Sequence, residues 1–477
     1  LRTLADGFSR IIIGHEANGH AATTAAAGSV TLGANNDGAN PIFRSNVSIY
    51  GGSITVSDYS YDSWIVRAAA GKSIQLDAVN SIDIFNEIEA DSIELYSAQG
   101  SIAQADNASD GKTGEVLRSL DLKVQAATGI NLGSVETTLI SAVNTNQGDI
   151  SVTVNGARTS APLGRFSSAQ ISGDVGIVNL AQTWAGGSGT IELTAKGGSV
   201  TVLSGLVSNA AALALNGAST SGIDNAGSGA VQLEAQGSGK NLIVNQNIAS
   251  RGALALTAAN DITTAAGVSL TASANASNIA LTATAGAIGL GGHIVSGAAG
   301  STGGLVALQA GGAITMADGT GIESLGSGGR VSLQAGGDVR LSKLSFGASA
   351  VLNSSNGAII DNLSGDAPNL IGEASDLSLQ AANGIGASGA ALRTRVATLG
   401  ATNTASGGIF IVEDNDLAIK TLPPALLGMS AAGISAASGQ VSLVLNSGKL
   451  TVSGAISSAA TGAGSGRPPV LSRKPFS

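Results

Sequence analysis

Two segments of the chain repeat one pattern of apolar and variable positions. GLVALQAGGAITM runs from Gly304 to Met316, and GRVSLQAGGDVRL runs from Gly329 to Leu341. Val306/Val331, Leu308/Leu333, Ala310/Ala335, Ile314/Val339 and Met316/Leu341 stay apolar, two apart or on the same parity across a Gly-Gly break. The positions between them change freely: Leu305 becomes Arg330, Ala313 becomes Asp338 and Thr315 becomes Arg340. A period of two with one constant side is a β-strand with one face buried. A unit of about 25 residues that returns to the same phase is a solenoid repeat.

The same frame runs through most of the chain. GSVTL (Gly28–Leu32), GSITV (Gly52–Val56), KSIQL (Lys72–Leu76), NSIDI (Asn80–Ile84), DSIEL (Asp91–Leu95) and GSIAQ (Gly100–Gln104) alternate polar and apolar, mostly behind a turn residue. Gly, Asn and Asp suit corners, where the backbone needs positive φ or a side-chain bond. Between Ile74 and Ile102 the strands recur at short, even steps, the spacing of three short strands in one coil. Later units begin near Ile191, Leu213, Val231, Leu254, Ile279, Val306, Val331, Val351 and Leu377. Equal phase in every unit makes neighbouring strands parallel and in register. The prediction is an all-β, right-handed parallel β-helix (solenoid) with coils of about 18–27 residues. A propeller needs a longer antiparallel unit, and a leucine-rich horseshoe needs an LxxLxL frame that does not recur.

Residues 1–27 read as an irregular N-terminal segment, although DGFSRIIIG contains a plausible strand. Residues 28–456 form the repeat region, with excursions near 155–169 and 421–428, the second around Pro423-Pro424. Residues 457–477 carry three prolines and three basic residues and read as a disordered tail, because proline removes ladder donors. The opening LRTLADG has no Met and no signal-like region, so it reads as a point inside a larger protein or one left by processing.

Composition narrows the class of job. Gly is 68 of 477 residues and charged residues are 12%, which alone would suit a disordered linker. The 43% hydrophobic content and mean hydropathy of +0.29, placed in alternation, argue for a folded core instead. A net charge of −9 disfavours nucleic acid and anionic membrane as partners. There is no cysteine for a disulfide, and no apolar run long enough to form a membrane-spanning segment.

Units such as GTIELTAKGGSV, GALALTAANDI, NIALTATAGAI and GRVSLQAGGDV resemble the repeats of filamentous-haemagglutinin-type bacterial exoproteins. RVATLGATNTASGGIFIVEDNDLAI (Arg395–Ile419) resembles the same surface proteins, and the likeness covers most of Gly28–Ile456. The resemblance implies a secreted, cell-surface adhesin segment exported with an outer-membrane secretion partner, with host or surface glycans or proteins as its targets. The family's N-terminal secretion domain is not visible, and no binding residue carries over to a position here.

Catalytic motifs are weak. In HEANGH the two histidines, His15 and His20, are five apart with Gly19 between them, against the helical spacing of four that a zinc site needs. GIGASG (Gly384–Gly389) matches a dinucleotide fingerprint without a surrounding βαβ unit. GKS at Gly71 and GKT at Gly111 lack the upstream glycine of a phosphate loop, and GGSGTI (Gly186–Ile191) lacks the Asp of a calcium nonapeptide. Asp83, Glu87, Glu89, Asp91 and Glu94 form the densest acidic stretch; alternation places Ile82, Ile84, Ile93 and Leu95 inside and most of the acids on a solvated face. No cofactor and no enzymatic activity are expected. Tyr50, Tyr59, Tyr61 and Trp64 fall close together, in a chain with four Tyr and two Trp. Tyr59, Tyr61 and Trp64, beside Asp58 and Asp62, form the candidate binding patch for a sugar or protein partner, and packing over a coil corner is the competing and favoured role. The expected function is a non-enzymatic structural or adhesive stalk segment. A polysaccharide-active enzyme on the same fold and the shaft of a toxin-delivery exoprotein are the alternatives.

Overall fold

A computed structural model describes residues 8–14, 16–17, 20–21, 28–33, 42–57, 65–105, 116–156, 174–203, 222–298, 300–422, 428, 431–459 and 470–473. The described elements are β-strands, and no α-helix occurs among them. The chain divides into two compact units, Leu1–Ser250 and Arg251–Ser477. Each unit is a parallel β-helix.

In the first unit, Asn46–Gly51, Ile54–Val56 and Ile65–Ala68 are the three strands of one coil. The next three coils repeat them in register. Val47 stacks on Ile74, then Ile93, then Leu122. Ile54 stacks on Ile82, Ile102 and Ile130, and Val66 on Ile88, Leu117 and Val135. Most of these side chains are wholly buried, so the core is a set of single-residue columns. The ladder starts ahead of Gly28, because Arg10–Ile13 pairs in parallel with Asn46–Ile49.

The second unit holds the duplicated segments. Val306 faces Val331 in parallel register and both are fully buried. One column passes through six successive leucines, Leu256, Leu281, Leu308, Leu333, Leu352 and Leu379, before it reaches Ala401. Its members are unevenly spaced in the chain, the step from Leu333 to Leu352 being the shortest, yet each faces the next. A second column runs through Ile262, Ile288, Ile314, Val339 and Ile359. Two of the freely changing positions have found each other, since Arg340 Nη2 donates to Asp338 Oδ2 at 2.9 Å. The Gly-Gly break is constant for a steric reason: a Cβ on Gly336 would overlap the carbonyl oxygen of Gly311 in the coil before.

The expected spacing holds where coils are regular and fails elsewhere. Ile150 faces Ile191 and Ile191 faces Val231, so these two windings are far longer than the regular coil. The strand expected at Leu213 lies outside the described residues, as do most of the excursion at 155–169 and residues 423–427 of the one at 421–428. In the strand Ser349–Ser354, Ala350 faces Val331, Val351 faces Ser332 and Leu352 faces Leu333, and all three are buried. The run Ala350-Val351-Leu352 has no alternation to reveal its parity, and the leucine column decides it. Within the expected disordered tail, Val470–Arg473 pairs in parallel with Ser442–Leu445. The adjacent Pro468 and Pro469 precede that strand and remove no donor from it. Antiparallel pairing among the described residues is confined to the hairpin Glu16–Ala17/His20–Ala21 and two isolated bridges, Ala387–Ala390 and Leu422–Ala431.

Corners interrupt the ladder, and side chains replace the missing acceptors. Asp149 Oδ1 accepts from Thr190 N (2.7 Å), Asp261 Oδ1 from Ala287 N (2.7 Å), Asn278 Oδ1 from Leu305 N (2.8 Å) and Asp338 Oδ1 from Ala358 N (3.0 Å). In each case the acceptor belongs to one coil and the donor to the next. These bonds explain why Asp and Asn precede strands, as each satisfies a donor that would otherwise be lost at the bend.

The columns set the stability. Leu333→Ala should lower unfolding free energy by about 2–5 kcal/mol, because a wholly buried leucine leaves a cavity that the stacked neighbours cannot fill. Gln334→Ala, the next residue and on the outer face, should cost less than about 0.5 kcal/mol. Urea unfolding followed by circular dichroism separates the two, and equal losses would contradict the inward parity.

Candidate functional site

The aromatic patch Tyr59, Tyr61 and Trp64, with Asp58 and Asp62, lies outside the described residues. Its neighbour Tyr50 is described and is only 2% exposed, packed with Val79. Arg10 Nη2 donates to the Tyr50 hydroxyl at 2.6 Å and to Gln75 Oε1 at 3.0 Å, while Arg10 Nε donates to Ser48 Oγ at 2.9 Å. Tyr50 is therefore a packing residue tied to the first described rung.

The acidic stretch is on the outer side of the coils but is not simply solvated. Arg67 faces Glu89, Glu89 faces Arg118, and Arg118 faces Glu136, so charges alternate on four consecutive rungs. Arg67 Nε lies 2.6 Å from Glu89 Oε2 and Arg118 Nε lies 2.8 Å from Glu136 Oε2. Arg118 also pairs with Glu87 through its second arm. Lys123 Nζ meets Glu94 Oε1 at 2.8 Å, Gly71 N donates to Asp91 Oδ2 at 2.6 Å, and Ser81 Oγ donates to Asp83 Oδ2 at 3.0 Å. Every acid of the stretch has a partner, and for Glu87, Glu89, Asp91 and Glu94 that partner comes from another coil. Sequence alone could not pair them, since the partners stand a whole winding away.

Other sequence motifs resolve into fold. Glu16–Ala17 and His20–Ala21 pair as a short hairpin rather than lying on a helix. His293 is exposed at the start of the strand His293–Ser296. In GIGASG, Ile385 bridges Ile359 and Ile409, and Gly384 and Gly386 take φ of 114° and 62° to turn the corner around it. Among the described residues no group of three or more His, Asp and Glu side chains is placed to hold a metal ion, and no helix is long and apolar enough to cross a membrane.

Two internal polar features were not foreseen. The first is Glu413, which ends the strand Ile409–Glu413 on the same parity as the buried Ile409 and Ile411 and is 0% exposed. Its Oε2 accepts from Thr394 Oγ1 at 2.6 Å; its Oε1 accepts from the backbone N–H of Val396 (3.2 Å), Asp414 (3.1 Å) and Asn415 (3.3 Å). Burial pushes the Glu413 carboxyl above its ordinary value, and the hydrogen bonds offset only part of that rise. Parity counting from Ile409 would have found it.

The second is an amide ladder. Asn144 faces Gln182, Gln182 faces Asn225, and Asn225 faces Ser250; all four are buried. Asn144 Nδ2 donates to the carbonyls of Gln147 (2.9 Å) and Gly148 (2.8 Å), and Gln182 Nε2 donates to Gly148 O at 2.6 Å. Asn225 Nδ2 donates to Gly189 O at 3.1 Å and Gly229 O at 3.0 Å. The ladder therefore ties three successive corners from the inside. Asn403 repeats the device in the second unit, donating to the carbonyls of Ser406 and Gly407, each at 2.8 Å. The middle corner of the first set carries Trp184, which is 42% exposed. Density of aromatics along the chain drew attention to residues 50–64 and passed over this single tryptophan in TWAGGSG.

Glu413 makes stability depend on pH in a defined direction. A carboxyl whose folded pKa is raised stabilises fully below its unfolded value and loses that contribution as pH rises through the folded value. Glu413→Gln keeps an acceptor for the three N–H groups without the charge. Chemical unfolding between about pH 4 and 7 should show wild type losing stability relative to the variant as pH rises. A constant difference across the range would contradict the raised value.

Compared with family models, with curated proteins and with solved structures, the chain matches none.

Proposed function

We propose that the chain is a non-enzymatic structural and adhesive segment of a large secreted bacterial surface protein. It presents corner loops for attachment to a cell or surface and is exported through an outer-membrane partner. The observation that carries the reading is the unbroken register of the columns, such as Leu256 through Leu379. Each coil adds about 4.8 Å of stiff ladder, and the outer face and the corners vary from coil to coil. That division of labour suits a scaffold that displays loops. The repeat resemblance to filamentous-haemagglutinin-type exoproteins points the same way. The paired state of Glu87, Glu89 and Glu94 also fits, since each carboxylate is held by an arginine or lysine instead of facing another carboxylate across a cleft.

Beads coated with the purified chain should attach to epithelial cells or glycan-coated surfaces above albumin-coated controls. The same preparation should release no reducing ends from a panel of plant, bacterial and host polysaccharides. Attachment no greater than the control would remove the adhesive role. Sustained release of reducing ends would replace it with an enzymatic one.

A further inference from the structure

We propose that the corner bearing Trp184 is a binding site for a neutral sugar, with the exposed indole face stacking on a pyranose ring. The inference rests on the attachment reading for its biological use, but its evidence is separate. A Cβ on Gly186 would lie 2.9 Å from Trp184 Cζ2, and one on Gly187 would lie 3.1 Å from Cε3. The two glycines thus carry the ring against bare backbone, and no other residue type fits there without moving it. The ring nevertheless remains 42% exposed. An aromatic ring backed by backbone and open to solvent suits the C–H-lined face of a sugar, which stacks on a flat apolar surface.

The surroundings select the ligand class. The stacked corners 144–148, 182–189 and 225–229 contain no charged residue, in a chain with 23 basic and 32 acidic ones. Thr145, Asn146 and Gln147 are exposed in the coil before, and Thr183 N is bonded to Asn144 O, which places that corner beside the tryptophan's own. Hydroxyls and amides match sugar hydroxyls as both donors and acceptors. A sulfated or phosphorylated ligand would call for arginine or lysine, and these corners have none. An apolar peptide would need a wider patch. The other exposed large hydrophobics among the described residues, Phe8, Ile12, Ile42, Val452 and Leu471, lie in segments far from this corner in the chain.

The site is also rigid before any ligand arrives. Gln182 ties its side chain to Gly148 O, and Asn225 reaches Gly189 O, so the amide ladder clamps the corner on both sides of Trp184. Little order remains to be imposed on binding, which favours affinity from a small contact area.

The chain has two tryptophans, so Trp64→Phe leaves Trp184 as the only one. That variant is titrated with cellohexaose, chitohexaose and mannohexaose, and with a heparin-derived hexasaccharide as the charged contrast. At least one neutral hexasaccharide should change Trp184 emission saturably. Calorimetry should show that affinity weakened about tenfold or more in Trp184→Ala and largely retained in Trp184→Tyr, with unchanged circular dichroism in both. No saturable response to any neutral sugar up to about 10 mM, equal affinity in Trp184→Ala, or binding of the sulfated sugar alone would overturn the proposal. The two readings fail separately. Bead attachment that survives Trp184→Ala, with no sugar response, sinks this site and spares the adhesive role. A Trp184-dependent sugar response without bead attachment does the reverse.

Discussion

In-register stacking of identical positions on successive coils is the constraint from which the rest of each unit follows. A coil of three short strands cannot bury its own apolar side chains, so each inner residue takes its neighbours from the coils on either side. The run of six leucines and the Ile/Val column through Ile314 are direct expressions of that rule. Parallel register also fixes the outer face, because residues opposite each other on the inside are opposite on the outside as well. The alternation Arg67, Glu89, Arg118, Glu136 is stable for that reason: the ladder holds unlike charges one rung apart.

The corners are where the fold is least automatic. A bending backbone pairs with the next coil only in part, as Gly312 N does with Gly286 O, so its remaining donors and acceptors turn to side chains. Asp149, Asp261, Asn278 and Asp338 do this from outside the bore, and Asn144, Gln182, Asn225 and Asn403 do it from within. Glu413 is an extreme case, a carboxyl on the inward parity whose acceptors collect three backbone N–H groups. A corner fixed in this way becomes a place where an exposed side chain such as Trp184 can be held still, and so a place where recognition can be built without disturbing the columns.

The parallel coil was legible because its signal is local. Two copies of one thirteen-residue pattern, at Gly304 and Gly329, contain both the strand period and the coil length. Features that depend on another coil were not legible. Nothing near Glu89 in the chain announces Arg67 or Arg118 as partners, and the burial of Asn144 depends on Gln182, which arrives only on the following coil. Parity is unreadable at Ala350-Val351-Leu352, where three apolar residues in a row offer no alternation and only stacking on Leu333 sets the frame. Coil length failed between Ile150 and Val231, because a winding can carry a long excursion while its strands keep register. Trp184 was missed for a different reason: the two glycines that lie against its ring, Gly186 and Gly187, fall in a stretch that reads only as a failed calcium motif.

Engineered cross-linking tests the register most directly. The chain has no cysteine, so a pair can be introduced without competition. Gln309 and Gln334 are opposite each other on adjacent coils, and Asn353 is one coil further on. Adjacent parallel strands place Cα atoms about 4.8 Å apart, within disulfide range, whereas two coils separate them by roughly 10 Å. Mild oxidation should therefore form an intramolecular disulfide in the Gln309→Cys/Gln334→Cys variant and none in Gln309→Cys/Asn353→Cys. Failure of the first pair to close, or closure of the second, would contradict the stacked parallel coil.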